Sequence, residues 1–441
     1  MAENQDELNR RRKARRARQR ARKRRQMLLR LTAAALVLVL AAVGMVLLFR
    51  NAPDQPVEPT TEPTQAPTEA DTETTAPQTG PTEAEAVDTT VIHVAAAGDL
   101  MVTDKTVDSG LTEEGYDYSQ VFMDVAPVLS GADLAVLNFE GNLLGVPYGD
   151  ATTSAPQELA QAVKAMGVDL VQMANSTTIT DGVASLRTSL TNLRRVGLEP
   201  LGAYADSQDF QKYKGYTIVE VQGIRIAFVA FTKGMGGLSL PAGSEDCVNL
   251  LYTDYATTYQ EIDKAGINAI LSNVEKESPD LTIALVHWGS EYKDMVTKSQ
   301  NRIASLMKDG GVDVVLGTHP HMVHEIQYDE MTGQLVAYSL GDFFGDADRA
   351  GSDYSIILDL EITRDNTTGL TRVTDYSYTP ICTLTEETSP DGQRRVVRLE
   401  QTLQSYQDRF VDRVSDDVYA NLERYLTRIA ERIDPPKEEE K

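Results

Sequence analysis

From residue 91 onward the chain consists of short β-branched and aliphatic runs separated by helical stretches, and five of those runs stop at a polar or charged group. The runs cover 91–97, 134–137, 170–173, 215–221, 225–231, 282–286, 312–316, 335–339 and 355–362, with helical patterns at 156–166, 182–196, 252–277 and 298–308. This alternation predicts an α/β fold, a layered β-sheet flanked by helices. From 335 on, the runs follow one another without long helices, which favours antiparallel pairing, so the sheet is expected to be mixed. Over 399–433, Leu403, Tyr406, Phe410, Val414, Val418, Leu422, Leu426 and Ile429 recur three or four apart, as in one amphipathic helix packed on the body.

The polar stops are Gly98-Asp99, Asn138-Phe139-Glu140, Asn175-Ser176-Thr177, His287 and His319-Pro320-His321. Ligands of open α/β sheets bind outside the carboxyl ends of the strands, where these groups fall. Four of the five histidines lie between 287 and 324. Imidazoles and carboxylates delivered from separate strands suit manganese, iron or zinc. Paired ions of that kind activate water and neutralise a phosphoryl group's developing charge. The plainer alternatives are a Pro320 turn with hydrogen-bonded imidazoles, and an ordinary turn carboxylate at Asp99. Asp342 and Asp346 read as a solvated acidic loop, Asp181 as a helix N-cap and His324 as structural, while His93, at a strand start, is assigned no role.

The N-terminal region has a different composition. Residues 1–30 carry 13 Lys and Arg against three acids, a net of +10, and 31–49 follow without a single charge. That uncharged length spans a bilayer core, and the basic flank orients its N-terminus towards the cytoplasm. The expectation is a single-pass anchor in the cell membrane with the bulk of the chain extracytoplasmic. The basic segment is read as a contact to the lipid bilayer, with no nucleic acid as partner. Residues 50–90 are rich in Pro, Thr and Glu and read as a disordered linker. The whole chain carries −24, so residues 31–441 carry −34, which repels polyanions unless a metal or local basic group reverses the sign. Cys247 and Cys382 leave a disulfide and two free thiols equally open.

The series Gly98-Asp99-Leu100-Met101, Leu137-Asn138-Phe139-Glu140, His287-Trp288-Gly289-x-Glu291-Tyr292, Gly317-x-His319-Pro320-His321 and Tyr338-Ser339-Leu340-Gly341 resembles the CapA family of poly-γ-glutamate capsule biosynthesis proteins. That resemblance implies a fold similar to the calcineurin-like metallophosphoesterases. It implies Asp99, Glu140, His287, His319 and His321 as metal ligands, Glu291 and His321 as catalytic groups, and Trp288 beside Glu291 in the cleft. It also implies work on an anionic surface polymer alongside other capsule-synthesis membrane proteins. The domain reading is then a basic tail (1–30), membrane helix (31–49), linker (50–90), CapA-like domain (91–382) and C-terminal extension (383–441).

One motif departs from the family pattern. Where an amide and a histidine are expected, Ser176 and Thr177 stand, and Thr180 replaces an expected aspartate. A threonine hydroxyl has no suitable pKa for proton transfer to a leaving group. Two readings therefore stay open: a metal-dependent hydrolase or transferase, or a non-catalytic scaffold or polymer-binding subunit whose degenerate site holds no metal.

Overall fold

The computed structural model describes residues 88–411 and 413–435. The expected membrane helix and most of the linker lie outside these residues. Among the described residues no helix is long and apolar enough to cross a membrane.

The strands in chain order are β1 (Thr89–Met101), β2 (Leu134–Glu140), β3 (Leu170–Gln172), β4 (Glu199–Leu201), β5 (Tyr216–Val221), β6 (Ile224–Thr232) and β7 (Leu281–His287). There follow β8 (Val314–Thr318), β9 (Ile326–Asp329), β10 (Gln334–Ala337), β11 (Asp342–Phe344), β12 (Tyr354–Asp365), β13 (Thr371–Leu384) and β14 (Arg395–Arg398). They form two sheets, where the sequence reading expected one. The first runs β14-β13-β12-β1-β2-β3-β4, with β11 added alongside β1; the second runs β5-β6-β7-β8-β10-β9. Both are mixed: β1 to β4 are parallel and β12 to β14 antiparallel, while β6, β7, β8 and β10 are parallel between antiparallel edges.

Alternation along each strand explains why two sheets face each other. Ile92, Val94 and Ala96 of β1 meet Ile226, Phe228 and Ala230 of β6 and Ile283 and Leu285 of β7 in one buried core between the sheets. The intervening Ala95 and Ala97 face the helices Gln157–Ala165 and Val183–Val196, which supply Leu159, Val163, Leu186 and Leu190. Ala284 and Val286 of β7 likewise face the helices Lys264–Glu277 and Lys298–Asp309. A strand buried on both faces is apolar throughout, so its periodicity does not say how many sheets share it.

The C-terminal stretch differs from the single helix expected. It breaks into Leu399–Gln407 and Asp416–Ile433, the second capped by the Ser415 hydroxyl, which accepts from the Val418 N–H at 3.4 Å. The residues beyond 382 also provide β14, which pairs with β13 in the first sheet. Leu422 is buried in the cluster that also holds Tyr354, Cys382 and Leu384 of β12 and β13. Leu422→Ala is therefore expected to cost about 2–4 kcal/mol in denaturant unfolding, whereas a loss under about 1 kcal/mol would mean that this helix merely rests on the body. The helical expectation for 252–277 holds only from Lys264, where Asp263 accepts from the Gly266 N–H. Asp181 does not cap its helix: Gly182 occupies the cap position. Cys247 and Cys382 are both free and buried in different cores.

Candidate metal centre

The parallel strands of both sheets end at one place. β1 delivers Asp99, β2 Asn138 and Glu140, β7 His287, and the turn after β8 His319 and His321. All are buried. Asp99 and Asp342 are register partners across the β1–β11 pair, so the short β11 carries a further carboxylate into the cluster. Asp342 is thus not part of a solvated loop, as the sequence reading had it: it is buried, and its Oδ1 lies 2.7 Å from His321 Nδ1. Nothing in the sequence around Asp342 announces a strand three residues long, and the pairing partner is more than two hundred residues away.

Trp288 also departs from expectation. It follows His287 and, by strand alternation, points to the opposite face. There it is fully buried, its indole N–H donates to the Tyr338 carbonyl at 2.9 Å, and its ring stacks on Tyr338. Glu291, by contrast, is exposed and has a carboxylate oxygen within 4.8 Å of ligand-type atoms of His319 and His321. His324 turns to another partner, its Nε2 contacting the Lys293 carbonyl at 2.7 Å. His93 pairs with Asp359 at 2.9 Å, on the antiparallel partner strand of β1.

Three groups of possible ligands emerge: Glu140 with His287 and His319, Glu291 with His319 and His321, and Asp99 with His321 and Asp342. They overlap at His319 and His321, so they describe one cluster. A shell of amides orients it. Asn138 Nδ2 donates to Asp99 Oδ1 at 2.6 Å, and Asn175 Nδ2 donates to Asn138 Oδ1 at 3.0 Å. The other Asp99 oxygen accepts from the His319 backbone N–H at 3.0 Å. His319 and His321 have φ of 91° and 60°. Two non-glycine residues held in left-handed backbone within three positions store strain of the kind found at functional sites.

The network also sets one tautomer. The Thr318 hydroxyl donates to Gln172 Oε1 at 3.2 Å, so toward His287 Nδ1, also 3.2 Å away, it acts as acceptor. The proton is then on Nδ1, and the Nε2 lone pair faces the Ser176 hydroxyl at 2.9 Å and Glu140 Oε1 at 3.6 Å. The Thr177 hydroxyl donates to Asn175 Oδ1 at 3.0 Å.

Burial pushes the Asp99 carboxyl up to about 6 and the Glu140 carboxyl up to about 8, the Asp99 charge adding to the second. Burial raises Asp342 as well. Burial holds His287 and His319 well below the usual imidazole range, with neighbouring imidazoles and Lys233 adding to it. For His321 burial acts downward too, but Asp342, Asp99 and Glu140 together outweigh it and lift the group to about 10. Burial thus raises the three carboxyls and keeps His287 and His319 neutral, and a divalent ion would favour the ionised carboxylates and the neutral imidazoles alike. His319 is the least satisfied of these rings: Nδ1 is buried with no hydrogen-bond partner, and Nε2 meets only the Lys233 ammonium at 3.4 Å. A divalent ion accepted by neutral imidazoles and carboxylates therefore fits this cluster.

The chain's 93–347 match the family model for the bacterial capsule synthesis protein PGA_cap, more than half of its length. The chain belongs to the PGA_cap family. The capsule biosynthesis protein CapA of Bacillus anthracis is 26% identical over 280 residues, which are 62% of this chain and 64% of that protein. The PGA biosynthesis protein CapA of Bacillus subtilis (strain 168) is 26% identical over 265 residues, 58% of this chain and again 64% of that one. The chain thus spans less than two thirds of these relatives. Among solved structures, the calcineurin-like phosphoesterase YfkN of Bacillus subtilis is 12% identical, covers 78% of this chain and 99% of its own, and has a TM-score of 0.39. A hypothetical protein of Thermus thermophilus is 16% identical at a TM-score of 0.40, covering 66% of this chain and 98% of its own. The PGA_cap region contains every candidate ligand named above.

Sequence reasoning missed Lys233. It stands directly after β6, its Nζ 2.8 Å from the Gly289 carbonyl and 3.4 Å from His319 Nε2. A lone lysine after a strand carries no motif, and only the parallel β6–β7 pairing brings it beside the histidines.

Proposed function

We propose that this chain is a membrane-anchored, extracytoplasmic protein of capsule biosynthesis that processes an anionic surface polymer of the poly-γ-glutamate kind by metal-assisted hydrolysis or transfer. The observation that carries the reading is the buried cluster of three carboxylates and three imidazoles with His319 Nδ1 left unpartnered. Asp99, Glu140, His287, His319, His321 and Asp342 would hold the ion, whether manganese, iron or zinc. Such an ion supplies an acidified water and a positive charge against the reacting oxygens. The chain's own groups do the rest. Asp342 fixes the His321 ring through Nδ1, leaving Nε2 for the ion or substrate, and the exposed Glu291 would accept a proton from the attacking water. The uncharged stretch 31–49 after a basic segment supports the membrane placement, and the family resemblance supports capsule-synthesis membrane proteins as partners.

The test is hydrolysis of a phosphodiester and of a γ-glutamyl oligomer by the full-length chain supplied with Mn²⁺. His321→Ala is expected to lower the rate by about 100-fold or more. An unchanged rate in that variant would remove the cluster from the chemistry.

A second reading has its own observation. Both His287 ring nitrogens already have hydroxyl partners, Thr318 and Ser176, so an ion must displace Ser176 before His287 can ligate. A scaffold or polymer-binding subunit would bind the oligomer without turning it over.

A further inference from the structure

Lys233 is the cation nearest the cluster's imidazoles. Its backbone N–H donates to the His287 carbonyl at 2.8 Å, which ties the end of β6 to the His287 end of β7. The side chain is half-buried, with Nζ 4.7 Å from the centre of the Tyr259 ring. Among the described residues no carboxylate lies within ion-pair distance of this ammonium, although the Glu291 charge acts on it from further off; its polar contacts are the Gly289 carbonyl and His319 Nε2. An ammonium has three N–H groups, so one is left over.

The neighbourhood of that spare donor is specific. The loop after Lys233 runs against the loop that bears Ser176 and Thr177: a Cβ on Gly236 would lie 3.7 Å from the Ser176 carbonyl. Lys233 Nζ contacts His319, whose ring lies 4.5 Å from that of His287, and His287 Nε2 contacts the Ser176 hydroxyl, so Lys233 and the Ser176 loop flank the same two imidazoles. That loop is the one on which the family pattern places an imidazole and this chain places Thr177.

We propose that Lys233 is an oxyanion-binding residue of this site, holding a phosphate or carboxylate oxygen of the substrate beside His319, in a chain whose Thr177 offers no imidazole. The inference rests on the metal-site reading and deepens it. A charge-assisted hydrogen bond from a half-desolvated ammonium is stronger than a neutral one. It also bears on the long-range problem: residues 31–441 carry −34 and repel an anionic substrate, and a cation beside the cluster offsets that repulsion locally. The competing role is structural, Lys233 serving only to pin β6 to Gly289.

The test titrates inorganic phosphate and glutarate separately into the full-length protein, with and without Mn²⁺, for the wild type, Lys233→Met and Lys233→Arg. Lys233→Met keeps an apolar stem against Tyr259. It is expected to weaken at least one anion by about tenfold or more, with Mn²⁺ content and melting temperature unchanged and Lys233→Arg restoring most of the affinity. Loss for phosphate alone assigns a tetrahedral oxyanion; loss for glutarate alone assigns a carboxylate. Equal anion affinity in wild type and Lys233→Met overturns the proposal, as does a wild type that binds neither anion, or a variant that loses Mn²⁺ and stability in parallel. A wild type that binds no Mn²⁺ yet binds an anion through Lys233 overturns the metal reading and leaves this one standing.

Discussion

Replacing Gly98 with alanine is expected to lower stability by about 3 kcal/mol or more and to abolish metal binding together with it. A Cβ at this position would sit 1.8 Å from the carbonyl oxygen of Gly341. Both partners are backbone, so no side-chain rotation relieves the clash. The two strands involved are β1 and β11, whose register sets Asp99 opposite Asp342, and the Asp99 N–H donates to that same Gly341 carbonyl at 3.0 Å. Pushing the strands apart breaks the hydrogen bond and separates two carboxylates of the cluster in one step. Denaturant unfolding together with metal analysis checks the pair of effects. A variant of near wild-type stability that still holds its ion would show that β11 is free to shift.

The second large effect has opposite signs with and without metal. Glu140→Gln is expected to stabilise the metal-free protein at pH 8 and above, and to remove the stabilisation that Mn²⁺ gives the wild type. Burial, assisted by Asp99, raises the Glu140 carboxyl to about 8, above its unfolded value. A group whose folded pKa is raised contributes fully below the unfolded pKa and loses that contribution as pH rises through the folded one. His321, raised to about 10, shifts stability in the same direction above its ordinary range. The neutral His287 and His319 act only in acid, where the unfolded imidazoles take up protons that the folded ones refuse. Between about pH 6.5 and 8 the metal-free wild type should therefore lose stability as pH rises, and Glu140→Gln should lose less. A bound divalent ion reverses the slope, because it favours the ionised carboxylates and displaces protons on binding. Melting curves across that window, with chelator and with Mn²⁺, separate the two regimes. Identical slopes in both would mean that no ion occupies the cluster.

The strand ends make most of this cluster legible in the sequence alone. Asp99, Glu140, His287, His319 and His321 each follow a run of apolar residues, and parallel strands bring such ends to one edge. What the sequence hid has physical reasons. Asp342 enters through a three-residue strand whose pairing is set by register, and Lys233 through a neighbour relation between β6 and β7. Trp288 sits inside a motif but points away from the site, because adjacent strand residues face opposite sides. The second sheet was illegible for a similar reason, since runs apolar on both faces fit one sheet or two. The gap in the C-terminal helix falls where the three-and-four spacing continues unbroken, and Ser415 restarts the helix there.

The most direct measurement is the metal content of the full-length chain after exposure to manganese, iron or zinc and removal of loosely held ions. The wild type should retain about one ion per chain or more, and an Asp99→Asn/His319→Ala double variant should retain none while keeping its fold by circular dichroism. A wild type that retains no ion, or a folded double variant that retains as much, would contradict the metal centre on which the proposed function stands.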